Sequence, residues 1–161
     1  MSGFTLIETL IVILILSFLA MGILGVLTVG DLSWNSGNVW LDLQQEVRVA
    51  MDGMTREARG GNISGFVVTA DNAQVDFSLP GVSNTISYYL SGTQLMREHP
   101  AGTTKVLAND ISSVSFCCLG GINCSDCINA SSISFNITAE KTVKERSYNY
   151  SLVDKVRIRN D

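Results

Sequence analysis

Residues 3–29 read GFTLIETLIVILILSFLAMGILGVLTV, and every other part of the chain is best read outward from them. Leu10 to Val29 is a run of twenty residues without a charge, long enough to cross the hydrocarbon core of a bilayer as a helix. The run is too long for the apolar region of a removable secretory signal, has no basic residue before it and has no A-x-A site after it. It therefore predicts an anchor. Its first charged group is Glu8, a carboxylate at the head of the apolar segment. An ionised side chain in hydrocarbon costs at least about 2.5–3.5 kcal/mol, so such a residue calls for a role and a partner. No cation lies within a helical turn of it. The plain alternative places Glu8 in the headgroup layer with no special task.

Beyond the anchor the composition changes. At 161 residues the chain has room for one ordinary domain and an appendage. The remainder is rich in Ser, Thr, Asn and Gly. The net charge of −4, with no clustered basic face, gives no electrostatic reason to expect nucleic acid. After the anchor come Asp31, Asp42 and Glu46 before the first cation, Arg48, which mildly favours placing the C-terminal part outside the cytoplasm. Gly30 to Asn38, GDLSWNSGN, is rich in poor helix formers and reads as a linker or a weakened helix. Helical spacing then returns: Trp40, Leu43, Val47, Ala50, Met51, Met54 and Ala58 form one stripe, which predicts a helix face packed on a core. Asp42, Gln45, Arg48, Asp52, Arg56 and Arg59 take the opposite face, with Asp52 and Arg56 spaced for an i,i+4 ion pair. Gly60-Gly61 is the expected C-cap.

From residue 63 onward the period drops to two. FVVTA, QVDFSL, TISYYL, TQLMRE, SSVSF, SSISFNIT and a stretch around Val156-Arg157-Ile158 read as short strands. Ser91-Gly92 marks a hairpin turn, and Pro80-Gly81 and His99-Pro100 mark loops. The expected class is α+β: a long N-terminal helix, membrane-spanning in its first half and amphipathic in its second, packed on an antiparallel sheet.

All four cysteines lie in CCLGGINCSDC, residues 117–127. Clustering in the part assigned outside the cytoplasm suits disulfides. Neighbouring Cα atoms are only about 3.8 Å apart, awkward for a bond between Cys117 and Cys118. Crosslinks from Cys117 and Cys118 to Cys124 and Cys127 are therefore favoured, in either pairing. A tetrathiolate zinc site is the alternative, although Cys117-Cys118 lacks the usual two-residue gap; free or redox-active thiols are a third. His99, the single histidine, is expected to be an exposed loop residue. No phosphate-binding glycine motif, metal-ligand helix or nucleophile elbow is present, so no enzyme activity, catalytic residue, metal or cofactor is expected. Triplets such as Asn62-Ile63-Ser64 and Asn136-Ile137-Thr138 arise by chance in so Ser/Asn-rich a chain.

GFTLIE directly before an uninterrupted apolar helix closely resembles the N-terminal signal of type IV pilins and type II secretion pseudopilins. The resemblance implies cleavage by a prepilin peptidase between Gly3 and Phe4, N-methylation of Phe4, and Glu8 as the acidic fifth residue of the mature chain. It also implies a partner for Glu8, the cationic amine of Phe4 on a neighbouring subunit. Residues 1–3 would be the leader, 4–30 the membrane and assembly helix, 31–61 the amphipathic helix, and 62–161 a β-rich domain carrying the loop 117–127. Family leaders usually carry Lys or Arg; Met1-Ser2-Gly3 does not, so the leader is minimal or the start lies upstream. QQEVRVAMDGMTREAR, ISYYLSGTQLMRE and VRIRN are similar to the W-type minor pilins and J-type minor pseudopilins. The implied setting is a single pass through the inner membrane with a periplasmic domain, then a pilus or pseudopilus, with other pilin subunits as partners. A signal-anchored external binding domain that never polymerises is the competing reading.

Overall fold

The computed structural model describes residues 5–61, 65–79, 81, 84–128 and 130–158. It contains two compact units, Met1–Asn38 and Val39–Asp161. One helix, α1 (Leu6–Arg59), contributes to both.

In the first unit the apolar side chains from Leu6 to Leu32 are exposed, and this part of α1 is long and apolar enough to cross a membrane. The two hydroxyls of the apolar run Leu10–Val29 are satisfied within the helix. Ser17 Oγ donates to Ile13 O at 2.8 Å and Thr28 Oγ1 to Gly25 O at 2.9 Å, so neither brings an unmet polar group into an apolar setting. The poor helix formers of 30–38 are helical throughout, which settles the choice between linker and helix. Propensity is a weak prior, and here it is overridden.

In the second unit the predicted stripe forms the core face of α1: Leu43, Val47, Ala50, Met51, Met54 and Ala58 are buried. Two residues depart from expectation. Trp40 remains 44% exposed, packing edge-on against Tyr150 with ring centroids 6.0 Å apart. Thr55 is buried instead, its Oγ1 donating back to Asp52 O at 3.3 Å. Asp52 and Arg56, both solvated, are not among the ion pairs formed by the described residues. The glycines after the helix also act differently from a left-handed cap. Gly60 and Gly61 N–H groups donate to Glu57 O and Ala58 O, tightening the last turn. A Cβ on Gly61 would lie 2.8 Å from Phe66 Cε2, so close packing requires this glycine.

The strands make two antiparallel sheets where a single sheet was expected. The first is a meander of β1 (Val67–Val68), β2 (Gln74–Ser78), β3 (Thr85–Ser91), β4 (Gln94–Glu98) and β5 (Thr104–Ala108), in that order. The second is β6 (Ile111–Leu119), β7 (Ser132–Val143) and β8 (Arg146–Arg157), with β7 central. The β3–β4 turn is Gly92-Thr93, with Gly92 at φ +61, as a two-residue hairpin of the right twist needs. The β7–β8 turn is Lys144-Glu145, both at positive φ without being glycine. Alternation sends Ile133, Phe135, Ile137 and Ala139 of β7 inward together with Phe116 and Cys118 of β6. Helix stripe and inner sheet faces join in one core, in which Phe66 stacks on Phe77 at 4.6 Å and Phe116 meets Phe135 edge-on at 5.8 Å.

Candidate functional site

Two places carry chemistry the sequence singled out, one in each unit. At the start of α1, Thr5 precedes the helix and its carbonyl accepts from the Glu8 and Thr9 N–H groups at 3.1 and 3.3 Å. Glu8 Oε2 reaches back to the Thr5 N–H and Thr5 Oγ1, each at 3.4 Å, the long end of hydrogen bonding. Thr5-Leu6-Ile7-Glu8 is thus one half of a capping box, with a carboxylate at the positive end of the helix dipole. This local role was not foreseen, although the T-x-x-E spacing announces it. Gly3 and Phe4 lie outside the described residues, so the expected cleavage bond and amine are not placed.

In the second unit the cysteines form two disulfides, Cys117–Cys124 and Cys118–Cys127, within the favoured set of crosslinks. None is a free thiol. Strand alternation explains the division of labour. Cys118 points inward and its bond to Cys127 lies in the core, both residues being 3% exposed. Cys117 points to the outer face, so its bond to Cys124 is only half-buried. Cys118 N–H donates to Cys124 O at 2.8 Å, and Ser131 N–H to Leu119 O at 2.9 Å. The stapled loop exposes Ile122 (89%), and Ile128 just beyond it is 83% exposed. Among the described residues, no group of His, Cys, Asp and Glu is arranged to hold a metal ion.

A third cluster went unnoticed in the sequence. Glu57 Oε2 accepts from Tyr88 Oη at 2.6 Å and from Arg97 Nε at 3.0 Å. Tyr88 and Arg97 are direct cross-strand partners on β3 and β4, so the three residues tie α1 to the first sheet. Burial, then the hydrogen bond and charge of Glu57, hold the Tyr88 phenol well above the usual tyrosine range. The signal available was a lone carboxylate at the edge of the apolar stripe, between Met54 and Ala58.

About three to four turns earlier on α1, Asp42 and Glu46 line, with Asn109 and Lys141, a cleft of about 370 Å³. Asn109 N–H donates to Glu46 Oε2 at 2.7 Å, and Lys141 Nζ meets Asp110 Oδ2 at 2.8 Å. That hydrogen bond raises the Lys141 pKa; burial opposes it and the charges of Asp110, Glu46 and Asp42 add to it. His99, between β4 and β5, is half-buried with Nδ1 3.4 Å from Thr85 O, rather than exposed. None of these groups forms a nucleophile–base arrangement. Searches of protein-family models and of curated proteins find no match to this chain.

Proposed function

We propose that the chain is a minor pilin or pseudopilin: a structural subunit inserted through the first part of α1 and assembled by pairing Glu8 with the methylated amine of Phe4 on a neighbour. The observation that carries this reading is Glu8 at the head of a helix that is apolar and exposed from Leu6 to Leu32. Two opposite charges brought together in low dielectric attract far more than in water, and each relieves the other's desolvation only in the assembled state. The two disulfides fit a domain on the oxidising side of a membrane.

The half capping box favours a second reading, in which Glu8 serves only its own helix. Glu8→Gln separates them, because glutamine keeps the capping hydrogen bond and loses the charge. In a host with a prepilin peptidase, the variant should insert and be cut after Gly3 but enter filaments at least about tenfold less often. Normal incorporation would leave Glu8 as a cap alone. Mass spectrometry of the membrane-extracted protein should find Phe4 as a methylated first residue. An intact, unmethylated N-terminus would instead support an anchored domain that does not polymerise.

A further inference from the structure

The second sheet ends on a long strand whose charges form no ion pair among the described residues. β8 pairs with β7 along its whole length, and among the described residues no strand lies on its other side. An exposed edge of twelve residues offers backbone donors and acceptors to any extended segment. Edge strands are commonly blunted by charges, so the pattern of the charges matters. Across the ladder, Arg146 faces Val143, Asp154 faces Phe135 and Lys155 faces Ser134. No ion pair joins Arg146, Asp154, Lys155 or Glu145 to another described residue. Among the described residues, Asp154 accepts from the Lys155 N–H alone.

We infer that the edge of β8 pairs with β8 of a second copy, antiparallel about a two-fold axis at Tyr150. An antiparallel pair needs opposed residues of the same hydrogen-bonding class, so the possible registers differ in steps of two. With Tyr150 opposite its own copy, Arg146 stands opposite Asp154, and Glu145 in the hairpin turn lies beside Lys155. Each contact occurs twice by symmetry. A step one way puts Arg146 against Val156 and Asp154 against Tyr148; a step the other way puts Arg146 against Leu152. The Tyr150 register brings two opposite-charge pairs together at each end of the overlap, whereas the steps on either side bring one, Glu145 with Arg157 or Lys144 with Asp154. Charge complementarity selects a second copy as the occupant, by the rule that sets register in sheet pairing. The contact uses a surface apart from the start of α1 and goes beyond the filament reading.

The test is charge reversal in the full chain, held in detergent, with self-association followed by sedimentation at low ionic strength. Asp154→Arg and Arg146→Asp should each weaken dimerisation by about tenfold or more, and the double variant should recover it. Since Asp154 is half-buried, Lys155→Glu and Glu145→Lys, both on exposed residues, form a second pair with the same expected loss and recovery. Added salt should weaken the parent dimer. A parent that stays monomeric at every concentration, single variants that associate like the parent, or double variants that fail to recover would each overturn the inference. Failure here leaves the role of Glu8 untouched, since no variant alters α1.

Discussion

A carboxylate accepting from a phenol and a guanidinium at the margin of a core acts as a fastener sensitive to alkali. Tyr88 is 1% exposed, and its raised pKa means the folded chain keeps a proton that the unfolded chain gives up above about pH 10. Its contribution is therefore complete below that pH and declines as pH rises further. Of the four tyrosines, Tyr88 should be the one whose tyrosinate absorbance appears only on alkaline unfolding. Tyr88→Phe should remove that part of the alkaline loss and cost about 1–2 kcal/mol at neutral pH in urea titrations, by losing a hydrogen bond to a charged acceptor. A variant with unchanged midpoint and unchanged alkaline slope would contradict this account. Neither Tyr88 nor Arg97 was legible as a partner of Glu57, because their meeting depends on the pairing of β3 with β4 and on where α1 lies. Periodicity reports faces; it says nothing of partners across a fold.

At the level of elements, the two cystines divide by the alternation of β6. Chain entropy gives each small loop about 2.5 kcal/mol, and the shared loop keeps the two from adding fully. Removing the core pair with Cys118→Ala and Cys127→Ala should cost more than removing the half-buried pair with Cys117→Ala and Cys124→Ala. Thermal melts of the two double variants decide it, and an equal loss would contradict the assignment of inner and outer staples. The strands read correctly from sequence were those that alternate cleanly, such as Ile133 to Ala139 in β7. β5 escaped because Thr104, Lys105 and Val106 are all exposed and only Ala108 is buried. β8 escaped over most of its length because its inward positions include Tyr148, Tyr150 and Asp154, half-buried residues that do not read as core. Trp40 misled for the converse reason: it continues the apolar stripe yet covers only the edge of Tyr150.

For the molecule as a whole, all of the buried core belongs to Val39–Asp161, so that unit should fold without the apolar segment. Residues 39–161 secreted into an oxidising compartment should give a single cooperative thermal transition with near-ultraviolet dichroism. A broad, non-cooperative melt would show that the first unit is needed for folding. The α+β class and the order of helix before strands were legible because local period carries them. The division into two sheets was not, since it is decided by which distant edges meet. The paired cystines have one more consequence, for endurance against proteolysis. A protease that cuts once between Leu119 and Asn123 severs the backbone inside both covalent rings. The two pieces stay joined through sulfur, each still seated in the same ladder. A nicked copy would keep its outline, and damage to the loop would not shed the strands behind it.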